Sequence, residues 1–153
     1  WWCHPVVVDL VLAILHHLAV FVLFAMLAVQ LVWLKRDLDL PGLNRVARLD
    51  IVYGATAGAV LVIGVLRVFF GLKGWHYYAE SPSFWAKMAA FALIGLLSIP
   101  PTLKMIAWRK RAEGEPGWLP SAAEIRSTRM YLHLEATIFL AIPIFAAAMA
   151  RGY

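Results

Sequence analysis

Long apolar stretches separated by short polar segments dominate the pattern along this chain. Four of them, at residues 6–34, 51–70, 84–108 and 130–150, have about the 20 residues that a helix needs to cross a bilayer. Because the segments between them are short, the pattern predicts an all-α integral membrane protein with an antiparallel four-transmembrane-helix bundle. Residues 1–153 are expected to form one membrane domain. Pro100 and Pro101 are expected to kink the third helix or to end its regular part.

The composition supports the same class of protein. Hydrophobic residues make up 63% of the chain and charged residues 15%, against roughly 45–50% and about 25% in soluble domains. A soluble domain of this composition would expose large apolar patches to water. The single cysteine, Cys3, forms no disulfide within the chain. A disordered chain, a disulfide scaffold and a soluble enzyme are therefore excluded as interpretations.

The basic residues predict the orientation in the membrane. Most of the 14 lysines and arginines fall in the segments after the first and third apolar stretches. Since cytoplasmic loops of membrane proteins are rich in Lys and Arg, we expect these loops in the cytoplasm of a bacterium and both termini in the periplasm. The net charge of +5 then reflects topology, and the expected partner is the lipid bilayer of the inner membrane rather than nucleic acid. The residues concerned are Lys35, Arg36, Arg45, Arg48, Lys104, Arg109, Lys110, Arg111, Arg126 and Arg129.

Small residues indicate where helices could approach closely. Gly54 and Gly58 form a small-xxx-small pair on the second predicted helix, and Ala57 and Gly64 extend this small-residue surface. Such pairs allow close contact between two helix backbones in lipid. We therefore expect this face to pack against a neighbouring helix.

Ionisable residues within the spans are the best pointers to function, because they are costly in lipid and usually face a bundle interior or a cavity. His16 shares a helical stripe with Asp9 and Gln30, whereas His17 is rotated by about 100°. His16 is therefore expected to face the interior. At the outer third of the membrane the second and third helices bring basic residues to the same depth. The candidate cofactor-binding residues are His16, His17, Arg67, Lys73 and Lys87.

Three functional interpretations fit this outer set. An imidazole can ligate the iron of a b-type haem while Arg or Lys pairs with the propionates. A histidine and a cation can also hydrogen-bond the carbonyl oxygens of a quinone, and Asp9, His16 and Arg67 could line a proton or ion path. A purely structural interpretation fits as well, in which Arg67 and Lys87 extend to the interface and His16 bonds across helices.

A second polar set is expected nearer the inner surface. On a helix His133 and Glu135 point in nearly opposite directions, so they cannot face one ligand. No two histidines or carboxylates stand four residues apart on one inward face, so a metal site without haem is not expected. The set consists of Gln30, Asp50, Tyr53, His133 and Glu135.

Several strings along the chain, taken in order, resemble an uncharacterised bacterial family of predicted four-helix inner-membrane proteins, a domain of unknown function. The resemblance covers almost the whole chain and implies the fold and the membrane location. The strings are Leu15-His16-His17-Leu18-Ala19-Val20-Phe21, Arg67-Val68-Phe69-Phe70-Gly71-Leu72-Lys73-Gly74, Phe84-Trp85-Ala86-Lys87-Met88, Ser98-Ile99-Pro100-Pro101-Thr102 and Ala148-Met149-Ala150-Arg151-Gly152.

A more distant similarity is to the HemJ-type protoporphyrinogen oxidases and the CopD-like copper-resistance proteins. HemJ-type enzymes are four-helix membrane proteins that bind haem b, and the matching positions here are His16 and Lys87. Where that pattern reads Trp-Leu-His-x-Lys, this chain reads Ser83-Phe84-Trp85-Ala86-Lys87 and lacks the histidine. The resemblance implies haem binding without implying a reaction.

The leading hypothesis is therefore a four-helix inner-membrane protein that binds haem b near the periplasmic side and has a redox or haem-linked role such as electron transfer. His16 is the expected iron ligand, with Arg67, Lys73 and Lys87 near the propionates. The alternative is a non-catalytic accessory subunit packed on a larger respiratory or photosynthetic membrane complex. A homo-oligomer is also open, and whether the chain is an enzyme stays undecided.

Overall fold

The computed structural model describes residues 5–70 and 74–151. Long helices account for most of this part of the chain. They are α1 (Pro5–Trp33), α2 (Leu40–Phe70), the short α3 (Gly74–Ala79), α4 (Pro82–Gly114), α5 (Ala122–Phe139) and α6 (Ala141–Ala150).

Four spans are long and apolar enough to cross a membrane, the last made by α5 and α6 together. α1 packs along α2, and α4 packs along α5 and α6. Contacts of α2 with α4 and of α1 with α5 close the bundle. The predicted all-α class and four-helix membrane architecture are confirmed.

The core is a narrow seam between the helices. Buried residues of α2 recur every seven residues, at Val46, Tyr53 and Val60. They belong to the same core cluster as Leu23 and Leu27 of α1. Most other large apolar side chains point outward, where a bilayer would cover them. Because lipid solvates apolar side chains, a membrane protein can have an apolar exterior and only a narrow buried core.

Each of the four spans begins earlier than its apolar stretch suggests, and α4 also ends later. α2 begins at Leu40 rather than at residue 51, because Asp39 Oδ1 accepts the Gly42 amide at 2.8 Å and Pro41 suits a first helical turn. α5 begins at Ala122 rather than at 130, because Ser121 and Glu124 form a capping box. Hydropathy marks only the apolar part of a helix, whereas caps mark its true start.

Prolines act differently at two places. From the sequence, Pro100 and Pro101 were expected either to kink the third helix or to end its regular part. α4 runs through both prolines to Gly114, so they do not end the helix. The last span is interrupted at Leu140 between α5 and α6. Pro143 has no amide hydrogen to donate to the carbonyl of Phe139, and its ring crowds that carbonyl. This interruption was not expected.

The small-residue pair on α2 does not pack against another helix of the bundle. A Cβ atom built on Gly54 or Gly58 would meet nothing within 4 Å in the described part of the chain. The expected close helix contact at this face is therefore wrong within one chain. Of that small-residue surface, Gly64 does make a close approach, to His16 of α1.

The two ends of the bundle differ in structure and in charge. The α3 end is where α2 ends, α3 lies and α4 begins, and the basic end is the opposite one, where α1 ends and α5 begins. Most of the lysines and arginines lie toward the basic end.

Candidate functional site

A cavity of about 330 Å³ lies inside the bundle toward the α3 end. This volume is at the lower end of the roughly 300–1,000 Å³ typical of ligand pockets. The wall is almost wholly apolar and is interrupted by three basic side chains. These are His16, Arg67 and Lys87.

His16 enters the cavity wall from α1. Its position is seven residues before Leu23 and eleven before Leu27, so it shares the core-facing stripe of that helix. The ring is half-buried, and its Nδ1 atom is buried without a hydrogen-bond partner among the described residues, although the Val60 carbonyl approaches the ring. Gly64 of α2 lies opposite, where a Cβ would stand 3.4 Å from His16 Cε1. Any larger side chain at Gly64 would press on the imidazole or fill the cavity.

Arg67 and Lys87 bring positive charge to the same wall. Arg67 is one turn after Gly64 on α2, and Lys87 follows the Ser81 cap that starts α4. The Lys87 ammonium lies 5.5 Å from the centre of the Phe84 ring. Within residues 5–70 and 74–151, Arg67 Nε is buried without a hydrogen-bond partner, and no carboxylate forms an ion pair with Arg67 or Lys87. The charges of both act on His16.

Aromatic rings form the α3 side of the cavity. Phe69 and Trp75 stack with centroids 5.8 Å apart and planes 5° from parallel. Tyr78 of α3 lies 5.6 Å from Phe84 of α4, measured between ring centroids. Trp85 donates its indole hydrogen to the Ala79 carbonyl at 2.9 Å, which ties α4 to α3. The segment between the second and third apolar stretches therefore contains a short aromatic helix, α3, that covers this side of the cavity.

Not every candidate residue from the sequence reaches this cavity. His17 is exposed on the lipid side of α1, with Nδ1 2.7 Å from the Ala13 carbonyl oxygen, and is not part of the cavity wall. Its ring centroid is 6.1 Å from that of His16. Lys73 lies outside the described residues. Asp9 and His76 also stand apart from the wall.

Gly64, Met88 and Phe91 are among the cavity residues that the sequence did not mark as candidates for the site. Met88 and Phe91 are three apart on α4, with Lys87 adjoining, so they continue the face that Phe84 begins. Gly64 precedes Arg67 by three residues. Both spacings were available signals, but glycine and methionine in an apolar helix are usually packing residues.

The arrangement suits a ligand with an apolar, flat body and an anionic group. The aromatic and aliphatic wall would enclose the body, and the guanidinium and ammonium would pair with an anion. The unpartnered ring nitrogen of His16 is a potential donor to a metal carried by that ligand. Among the described residues, no group of three His, Cys, Asp or Glu side chains is placed to hold a metal alone.

A family model of predicted membrane proteins, DUF2214, matches residues 8–153. This chain belongs to that family. For this DUF2214 member the match covers the whole cavity wall and all four spans except the first two residues of the first span. A search of curated proteins and a search of solved structures each found no match. Membership therefore supports the membrane character of the chain, and the cavity is the basis for any statement about its activity.

Proposed function

We propose that this DUF2214 membrane protein binds a b-type haem in the cavity at the α3 end and has a redox or haem-linked role. The observation that carries the proposal is the joint presence of an unpartnered imidazole nitrogen and two basic side chains on one apolar wall. Both cations are half-buried, and a partly desolvated cation without a counter-charge is unfavourable, so an incoming anion would relieve that cost.

The described residues fit the parts of such a cofactor. His16 would hold the iron, and Arg67 and Lys87 would pair with the propionates. Lys73 remains a further candidate for the propionates from its position in the sequence. Met88 lines the same cavity, and a thioether is a known partner of histidine in haem ligation.

When bound, the haem would supply a one-electron redox centre. The chain would contribute orientation and a dry surrounding. The aromatic side chains of α3 would lower the polarity beside the bound haem, and low polarity near an iron centre influences its reduction potential.

The proposal is tested on protein purified from membranes in mild detergent, by its Soret absorbance and a pyridine haemochrome assay. The expected result is bound haem that is lost in His16→Ala. The matched control is His17→Ala, because that neighbouring ring faces outward and its loss should leave the spectrum unchanged. Protein that contains no haem and takes up none on titration with haemin would overturn the proposal.

Arg67→Gln and Lys87→Gln test the propionate contacts separately from the iron ligand. Each should weaken haem retention while leaving the ligand-field features of the remaining holoprotein in place. Arg36→Gln, which removes a charge at the basic end, is the control. Equal haem retention in all three variants would remove the support for this part of the proposal.

The membrane orientation is part of the same proposal. The concentration of basic residues at one end supports a bacterial inner-membrane location with both termini in the periplasm. Cys3, the single cysteine, provides the test. A membrane-impermeant maleimide should label it in intact spheroplasts, and labelling only after lysis would reverse the orientation.

An accessory role remains the alternative proposal, and it is supported by the apolar exterior, which would accept a larger complex as readily as lipid. Purification of haem-free protein together with a respiratory or photosynthetic complex would favour it over haem binding.

A further inference from the structure

A second polar group lies inside the bundle, toward the basic end. We call it the inner polar cluster, and it consists of Gln30, Asp50, Tyr53 and Glu135. Gln30 Nε2 donates to Asp50 Oδ1 at 3.1 Å, and the Tyr53 hydroxyl donates to Glu135 Oε2 at 3.1 Å. The cluster joins α1, α2 and α5, and the Thr102 hydroxyl of α4 approaches Asp50.

Both carboxyl groups are removed from solvent. Asp50 is 4% exposed and Glu135 is 0% exposed. Each lies in a helix long and apolar enough to span a membrane. Ionisable residues at such positions are rare because an isolated charge in lipid is costly. They require either a counter-charge or a proton.

The neighbouring helices supply no counter-charge. On α5, Arg129 Nη1 is bound to the carbonyls of Leu31 and Leu34, and His133 is exposed. On α4, Lys104 donates to Ser127. Across the part of the chain that the structure describes, neither carboxyl group is in an ion pair. The charged group that acts on Glu135 is the other carboxyl group, Asp50.

Two oxygens of the cluster also lack partners. Gln30 Oε1 and Glu135 Oε1 are buried and accept no hydrogen bond from any described residue. Gln30 itself is 0% exposed, so water does not satisfy it from the surface. Leaving such acceptors unpaired is unfavourable, and a proton on one carboxyl group supplies a missing donor.

We propose that the inner polar cluster is a proton-binding site in which Asp50 and Glu135 together hold an exchangeable proton within the bilayer. In the binding step one carboxylate takes up H⁺ from water and becomes a neutral carboxylic acid. Because the charge of Asp50 acts on Glu135, ionising one carboxyl group disfavours ionising the other, and the two titrations are coupled.

The site is independent of the haem cavity. His16 and Gln30 are fourteen residues apart on α1, which corresponds to about 21 Å along the helix. Leu23 and Leu27 fill the core between these positions. Loss of haem binding would therefore leave this proposal untouched.

The test uses the purified full-length chain and an apolar carbodiimide, dicyclohexylcarbodiimide. This reagent adds a protonated carboxyl group across its C=N bond to give a stable N-acylurea, and its apolarity directs it to carboxyl groups within the membrane part of a protein. Peptide mass spectrometry then locates the adduct. We expect labelling at Glu135 or Asp50 that decreases as the pH is raised, and no labelling at these positions in the Asp50→Asn/Glu135→Gln variant.

Two further variants control for folding and selectivity. Tyr53→Phe keeps the ring but removes the donor to Glu135, so labelling should persist to higher pH because the carboxylate loses a stabilising hydrogen bond. Glu113→Gln changes an exposed carboxyl group of α4 and should leave labelling of the cluster unchanged.

Three results would overturn the proposal. They are an absence of adduct at both carboxyl groups, labelling that does not vary with pH, and protection of the cluster by Na⁺ at constant pH. The last result would assign the cluster to a metal cation instead of a proton.

Discussion

The contact between Arg129 and the end of α1 gives the most quantitative prediction. The last carbonyls of a helix have no donors within the helix and need partners from elsewhere. Arg129 of α5 supplies one Nη1 group to two of them, at 3.0 Å from Leu31 O and 2.6 Å from Leu34 O. A positive charge is also favourable at a helix C-terminus.

We expect Arg129→Met to lower the free energy of unfolding by about 2 kcal/mol. A hydrogen bond to a charged group contributes about 1.5–3 kcal/mol in soluble proteins. Hydrogen bonds between membrane helices average about 0.6 kcal/mol. The two hydrogen bonds share one half-buried nitrogen at the membrane boundary, so we expect the free energy of each to lie between these two values. Methionine keeps the aliphatic length of the side chain, so lost packing contributes little.

The assay is reversible unfolding in mixed micelles by increasing mole fraction of dodecyl sulfate, followed by far-ultraviolet circular dichroism. The control is Arg126→Met, which removes the same charge from the same helix at an exposed position. Such a surface change should stay within about 0.5 kcal/mol. Equal losses of stability in the two variants would refute the assignment of the energy to the α1 carbonyls.

Three further predictions concern the cavity and the helix starts. Gly64→Leu should abolish haem retention, because the side chain would extend from a Cβ 3.4 Å from His16 Cε1. The control Gly58→Leu, which has open space around its Cβ, should retain haem. Equal haem retention in the two variants would show that the cavity is not the site. Met88→Leu should keep haem bound but change the visible spectrum if its thioether ligates the iron, and an unchanged spectrum would exclude that ligand. Ser121→Ala should cost about 1 kcal/mol in the same unfolding assay by removing the cap of α5, and no loss would mean that the capping box contributes nothing to stability.

Much of the architecture could be predicted because the bilayer imposes a simple rule. A helix must be apolar over about 20 residues to cross it, and that length is visible in the chain as printed. The earlier starts of α2 and α5 were also visible, in Asp39-Leu40-Pro41 and in Ser121 with Glu124, but hydropathy alone does not register caps. The interruption at Leu140 required attention to Pro143 rather than to apolarity.

The cavity was only partly predictable. Helical periodicity placed His16 on the inward stripe and His17 away from it, which agrees with the structure. Depth along the helices placed Arg67 and Lys87 near His16, and both are found in the same wall. Which apolar residues complete that wall depends on helix rotation and packing, and neither leaves a pattern in one sequence.

The inner polar cluster shows the same division. The sequence placed Gln30, Asp50, Tyr53 and Glu135 at a similar depth, and it excluded His133 from the face of Glu135. It did not show that Gln30 pairs with Asp50, that Tyr53 pairs with Glu135, or that two oxygens remain without partners. Those facts depend on contacts between residues as far apart in the chain as Tyr53 and Glu135.

Apolar length, caps and charge distribution are local properties, so the chain's own order of residues was enough to establish the class of fold, the number of spans and the end at which the basic residues gather. Contacts between helices are not local. A rotation of one helix by a single residue, about 100°, would exchange His16 for His17 at the cavity wall. The tertiary structure decided which of these side chains come into contact, and therefore where the candidate sites of this protein lie.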